Sequence, residues 1–292
     1  MSVLSPAAAY VLANPGAFAR KVVKSFQANQ GLLLAGAVAY YALLSVVPLM
    51  ILTVIALSHL VDQRELLATI GRYLELLTPG QSRAIIAELS NFVAHRDVIG
   101  WLLLVSMLFF SSLAFTVLEK AMSVIFLHRF TVRRRHFLVS ALLPYCYIFA
   151  LGFGLLVVTI AAGVIQGIGE DQVRLLGVDW SLGGVSGVLL YLLGLGGEIL
   201  LLTSIYMVMP VGRLWWRHAL VGGVTATLLW EITRRVLVWY FGTLSQVSVV
   251  YGSLTTAIIV LFSLEIAATL LLFGAQVISE YERIDRGPVT RP

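Results

Sequence analysis

Seven charged residues stand inside long apolar runs of this sequence: Glu119, Lys120, Glu198, Glu231, Arg234, Arg235 and Glu265. A charge at the centre of a bilayer costs at least about 2.5–3.5 kcal/mol on insertion scales, so such residues face protein or water and by default mark function. Arg234 and Arg235 follow Glu231 by three and four positions, so on a helix Glu231 can pair within its own span. Glu198 and Glu265 then need partners on other spans, and the two arginines are the natural candidates. Carboxylates placed this way can bind cations or carry protons. An arginine fork suits a phosphate or carboxylate, which it holds in a bidentate way. The competing reading is a structural ion-pair network that locks the spans together. Glu119 and Lys120 lie nearer one end of their run, where Lys120 can snorkel, and these two read as structural.

Backbone signals fall at the same depth. Gly194, Gly196 and Gly197 directly precede Glu198. Each glycine weakens a helix by roughly 1 kcal/mol relative to alanine, which predicts a departure from regular helix there. Pro48, inside the first apolar run, removes a helical hydrogen bond at mid-span. Helices broken at mid-membrane free backbone groups for ligands in transporters. The competing readings are a plain kink at Pro48 and close helix packing by small residues at the glycines.

Enzyme chemistry has no foothold. His59, His95, His128, His136 and His218 are scattered and form no H-x-x-x-H or H-E-x-x-H pattern. Cys146 is the only cysteine, so neither an internal disulfide nor a Cys/His zinc site can form. Neither a G-x-x-x-x-G-K-S/T phosphate loop nor a G-x-S-x-G nucleophile elbow occurs. We expect no enzyme, no metal and no cofactor.

The elements that must position these residues follow from composition. The chain is 59% hydrophobic and 12% charged, against about 25% charged in a soluble domain. The charge is confined to short stretches between apolar runs at about 31–60, 98–127, 137–166, 183–209, 218–242 and 249–279. Each run exceeds the roughly 20 residues that cross the hydrocarbon as a helix. Several exceed one crossing, which implies tilt or protrusion. The expected fold class is all-α: a polytopic membrane bundle of six transmembrane helices, with an N-terminal interfacial helix and an outer helical hairpin. Residues 1–30 form a cytoplasmic arm, 31–279 the membrane domain with outer amphipathic helices at about 63–95, and 280–292 a cytoplasmic tail.

In the arm, Asn14 can cap a helix and Pro15 can open it. Phe18, Val22 and Phe26 then share one face, with Arg20, Lys21 and Lys24 on the others. This reads either as an amphipathic helix on the membrane surface, its cations near anionic headgroups, or as a helix docked on the bundle. In the first long connection, Leu66, Ile70, Tyr73, Leu74 and Leu77 keep helical spacing. Thr78-Pro79-Gly80 breaks it, and Ile85, Ile86, Leu89 and Phe92 restore it.

Orientation comes from the basic residues. Arg20, Lys21 and Lys24, then Arg129, Arg133, Arg134 and Arg135, then Arg213 and Arg217, then Arg283, Arg286 and Arg291 occupy alternate connections. The positive-inside rule puts both ends in the cytoplasm and residues 61–97, 167–182 and 241–248 outside. Trp101, Trp180, Trp215, Trp216 and Trp239 fall near run ends, where indole favours the interface. The net charge of +5 is thus a topology signal and needs no nucleic acid. No cleavable signal peptide precedes the first run, which is too long for a signal core.

Two runs of residues carry a family resemblance. One is Ala39-Tyr40-Tyr41-Ala42-Leu43-Leu44-Ser45-Val46-Val47-Pro48-Leu49, and the other is Tyr251-Gly252-Ser253-Leu254. With them come Tyr206, Met209-Pro210, Trp215, His218-Ala219, Gly222, Trp230-Glu231, Tyr240, Leu271 to Gln276 and Glu280-Tyr281-Glu282-Arg283. Over about residues 20–283 the chain resembles the YihY/virulence factor BrkB family of bacterial inner-membrane proteins. The resemblance implies six spans, cytoplasmic termini and a link to envelope integrity and serum resistance. Some members look like lipid or small-molecule transporters. The old ribonuclease BN label of the family finds neither a metal site nor a nuclease motif in this sequence. Many members carry an acid where this chain has Gln276, so a charge-dependent role there does not carry over.

The leading expectation is a transporter or flippase-like protein for an envelope lipid or amphiphilic solute, working through a mid-membrane polar cavity. The alternative is a non-transporting membrane scaffold for envelope assembly, and a membrane-embedded lipid enzyme ranks third. Membrane lipids, with anionic headgroups at the cytoplasmic face, are the expected partners, and a homo-oligomer is compatible with the sequence. With Cys146 replaced, single cysteines near Gln81 should react with an impermeant thiol reagent applied from outside, and those near Arg134 should not. The reverse pattern would overturn the orientation.

Overall fold

A computed structural model describes residues 6–58, 67–71, 86–87, 89–90, 96–126, 152–154, 156–163, 173–175, 178–180, 183–209, 214–243 and 253–285. The helices are α1 (Pro6–Ala13), α2 (Pro15–Ala28), α3 (Gly31–Leu57), α4 (Arg96–Ile125), α5 (Gly183–Val208), α6 (Trp216–Thr243) and α7 (Ser253–Asp285). Among the described residues, four stretches are long and apolar enough to cross a membrane: Gly31–Leu57, Gly100–Ile125, Gly187–Val208 and Ile258–Asp285. Helix α6 is also long, at 28 residues, or about 42 Å at 1.5 Å per residue. It is less apolar because it carries Arg217, Glu231, Arg234 and Arg235. The third apolar run contributes the helical stretch Gly152–Gly163, and the rest of that run lies outside the described residues.

Two compact units divide the chain. Unit 1 holds Met1–Leu32, Glu119–Trp239 and Thr269–Pro292, and unit 2 holds Leu33–Leu118 and Tyr240–Ala268. In unit 2 the outer hairpin is described only in pieces, but Gly71 and Ile86 lie together, since a Cβ on Gly71 would stand 3.6 Å from the Ile86 side chain.

The arm of unit 1 is a docked helix. Pro15 opens α2, where the missing N–H has no helical partner to lose. Asn14 holds the cap position but its side chain makes no capping bond. Phe18, Val22 and Phe26 are buried. Phe18 and Val22 pack with Val277 of α7, and Phe26 meets Phe273 edge-on at 5.5 Å between centroids. The apolar face of α2 is therefore covered by protein, the second of the two readings left open by the sequence. Gln30 then turns the chain into α3 with φ 54°, a left-handed conformation that costs a residue with a side chain about 1–2 kcal/mol. The turn is tight enough that a Cβ on Gly31 would strike the Phe26 ring.

Two expected helix breaks are absent. Helix α3 continues through Pro48 to Leu57, and Pro48 is buried. Helix α5 runs unbroken through Gly194, Gly196 and Gly197. A Cβ on any of these three glycines would meet no described atom within 4 Å. The helix wins because a broken turn in hydrocarbon leaves backbone groups without water, at several kcal/mol each. That exceeds the roughly 1 kcal/mol per glycine that disfavours the helix. The all-α expectation also needs one small amendment. Val173–Leu175 and Val178–Trp180 form an antiparallel hairpin, with Arg174 opposite Asp179. Alternating apolar residues on either side of a two-residue separation ending in Gly177 carry a hairpin signal.

The core of unit 1 lies where helix ends meet. Ser279 of α7 donates its hydroxyl to the Ile125 carbonyl at the end of α4, 2.9 Å away. Tyr206, near the end of α5, donates to the Leu271 carbonyl of α7 at 2.7 Å. Gly222 of α6 abuts Ile278 and the Gly274 carbonyl of α7. Gly223 abuts Thr203 and the Ile199 carbonyl of α5, and Gly274 lies under the Tyr206 ring. The C-terminal ends of α4, α5 and α7 thus share one end of the unit with the start of α6 and with α2. Small residues at such contacts let helix backbones approach closely.

Gly223→Val should destabilise the protein by about 1–3 kcal/mol, because the new methyls must displace Thr203 and a backbone carbonyl. Gly194→Ala, whose new methyl meets no described atom, should leave stability unchanged or raise it by up to about 1 kcal/mol. Thermal unfolding of both variants in detergent checks the pair.

Candidate functional site

Residues Glu231 and Arg234 pair within α6. The Arg234 guanidinium donates through Nη2 to both carboxylate oxygens of Glu231, at 3.0 and 2.9 Å. Three residues of helix bring the two side chains onto one face. Both sit near the middle of α6. The Glu231 side chain is 14% exposed and that of Arg234 is 53% exposed. Glu198 of α5 lies within electrostatic range of both, and Tyr191 of α5 within range of Arg234. The structure therefore brings together three of the expected residues, Glu198, Glu231 and Arg234. Arg235 is exposed on the same helix. Glu265 belongs to unit 2, where its Oε1 lies 3.8 Å from the position a Cβ on Gly36 would occupy. Within unit 1, Glu231 is the partner that Arg234 holds.

A second charged cluster closes the shared end of the helices, and sequence reasoning missed it. Glu280 is fully buried. Its carboxylate takes Lys21 Nζ of α2 at 3.1 Å and Arg283 Nη1 at 2.9 Å, and the Ser25 hydroxyl also donates to it. One turn earlier, the Asn29 side-chain amide donates to Gln276 at 2.8 Å. His218 stands between two carboxylates, with Nδ1 3.5 Å from Glu282 and Nε2 3.4 Å from Asp285. Its ring also meets Tyr281 edge-on. Glu280 and Glu282, assigned to the cytoplasmic tail, are thus among the buried polar residues. A signal for this was present. Gln276, Ser279, Glu280 and Arg283 recur at helical spacing beside an apolar stripe of Phe273, Val277 and Tyr281.

Among the described residues no group of three or more His, Cys, Asp or Glu could hold a metal ion. The imidazole of His218 faces a different carboxylate at each nitrogen, Glu282 and Asp285.

A family model described as Virulence factor BrkB matches residues 22–291. The chain belongs to this family of membrane proteins. A UPF0761 membrane protein of Rhodospirillum centenum is 27% identical over 278 residues, which cover 93% of this chain and 59% of that protein. A UPF0761 membrane protein of Pseudomonas aeruginosa is 28% identical over 262 residues, covering 88% of this chain and 61% of its own. One from Alteromonas mediterranea is 32% identical over 93 residues, 32% of each chain. The chain spans about three-fifths of the length of the first two relatives. No solved structure matches it.

Lys21→Met should strand part of the Glu280 charge. The expected loss is up to about 3 kcal/mol, the low end for a buried pair, because Lys21 is 46% exposed and Arg283 remains. Adding Glu280→Gln should recover part of that loss. A double-mutant cycle on thermal stability measures the coupling, and additive effects would exclude it.

Proposed function

We propose that this chain is a six-span inner-membrane protein, with both ends in the cytoplasm, that moves an envelope lipid or amphiphilic solute across or within the bilayer. The observation that carries this reading is the Arg234 side chain. It is ion-paired near mid-helix, yet 53% of it is exposed. A pair that served packing alone would be enclosed, because an intramembrane charge facing lipid is costly. An exposed guanidinium is available to an anionic headgroup, which its fork can take in place of Glu231. The freed Glu231 carboxylate, with Glu198 in range, can then hold a proton or a cation. Together with Arg235, the two acids and two arginines are charge-balanced, so an incoming anion changes the balance that the carboxylates set.

Parity of the helix ends supports six crossings. Helices α4 and α5 both end at the shared core of unit 1, so the chain between them must cross once. The apolar run that contains Gly152–Gly163 is the segment able to do so. Helix α6 begins at that same end and α7 finishes there. Exposed Arg20 and Lys24 on α2 suit the anionic headgroups of a cytoplasmic leaflet. Exposed Trp215 and Trp216 at the start of α6 suit the interface. The scaffold reading draws instead on the closed cluster around Glu280, which pins the arm rigidly to α7.

Proteoliposomes containing the chain should translocate a fluorescent anionic phospholipid faster than protein-free vesicles. Arg234→Gln should cut that rate at least tenfold and leave the unfolding temperature within a few degrees. Glu265→Gln, which keeps the shape and removes a charge, should likewise leave the protein folded and abolish coupling. If these variants lower thermal stability and leave translocation unchanged, the charges are scaffolding.

A further inference from the structure

Helices α5 and α6 meet along a seam with an unusual polar content. Gly223 lies directly against Thr203 of α5. Thr227 follows Gly223 by four residues and Glu231 follows Thr227 by four, so these three share the α6 face turned toward α5. They climb about 12 Å at 1.5 Å per residue, from the shared helix ends to the charged cluster. Thr227 is fully buried and Thr203 is 7% exposed. Among the described residues, neither hydroxyl has a hydrogen-bond partner.

Three other helical threonines are bonded differently. Thr225, also on α6, donates to the Val221 carbonyl at 2.7 Å. Thr53 and Thr116 make the same bond to the residue four positions back. Such back-bonding is the usual way a helical hydroxyl is satisfied away from water. Thr203 and Thr227 instead hold their hydroxyls off their own backbone. Buried polar groups of this kind take ordered water when protein supplies no partner.

We infer that the α5–α6 seam is a water-binding site, lined by the Thr203 and Thr227 hydroxyls, that brings solvent from the shared helix ends to within one turn of Glu231. This rests on the transport reading only for its purpose, since a hydrated route is how a proton would reach the carboxylates. The site itself stands on the two hydroxyls and their place beside Gly223.

Thiol accessibility tests it. In a Cys146→Ser background, Thr203→Cys and Thr227→Cys should react with 2-aminoethyl methanethiosulfonate at least tenfold faster than Leu272→Cys, whose position is fully buried among apolar side chains. Rates no faster than that control would overturn the site. The unsubstituted chain gives a second measurement that needs no refolded variant. In threonine-labelled protein in bilayers, water-edited solid-state NMR should show magnetisation from water reaching Thr203 and Thr227 well before it reaches the buried methyls of Leu272. Arrival at the same slow rate would also overturn it. Reactive thiols without lipid translocation would keep the seam and reject the transport reading. Translocation with silent thiols would do the opposite.

Discussion

Tyr206 can place its hydroxyl 2.7 Å from the Leu271 carbonyl only because residue 274, one turn on, carries no side chain. A Cβ there would collide with the phenol oxygen and press on Ala226. Gly222 in turn rests on the Gly274 carbonyl, and Gly223 rests on Thr203. Three helix backbones are thereby held at a separation that ordinary side chains would forbid. Between apolar helices in lipid there is no hydrophobic drive to associate, so close packing and hydrogen bonds must supply the attraction. The glycines and the tyrosine provide both. The relative register of α5, α6 and α7 follows from these contacts. His218 is carried to Glu282 and Asp285, and Glu231 comes within electrostatic range of Glu198 on α5.

Two kinds of charged site result, and they differ in closure more than in composition. At the helix ends the Glu280 carboxylate is fully buried and receives donors from α2 and from its own helix. Near mid-helix, Glu231 has one partner among the described residues, and that partner is half exposed. Buried ion pairs contribute little net stability even when well made, because desolvation offsets the attraction. The closed cluster therefore reads as specifying how the arm docks, and the open pair as a place where an external charge can compete.

Much of this was legible in the sequence because hydrocarbon penalises charge so heavily that a stretch of twenty apolar residues has few alternatives. The pairing of Glu231 with Arg234 was legible for the same local reason, since a helix fixes what lies three residues away. The unbroken turn at Gly194 to Gly197 was not. The glycine penalty is defined in water, where a broken turn finds new partners, and the bilayer removes that outlet. The Glu280 cluster was hidden for a different reason. Its partners Lys21 and Ser25 stand more than 250 residues away in sequence, and no local periodicity announces a contact of that range. Periodicity did announce that α2 has an apolar face, but not what would cover it, and Val277 and Phe273 answered that.

The intrahelical nature of the central pair has a mechanical consequence. Glu231 and Arg234 ride on one helix, so their bond transmits no restraint between helices. Four bonds that do cross between elements, Lys21 to Glu280, Asn29 to Gln276, Tyr206 to Leu271 and Ser279 to Ile125, lie toward the shared helix ends. Above them, the α5–α6 seam continues with hydroxyls that bond to neither helix. The bonds between elements therefore anchor α5, α6 and α7 at the shared end, where close packing and hydrogen bonding act together.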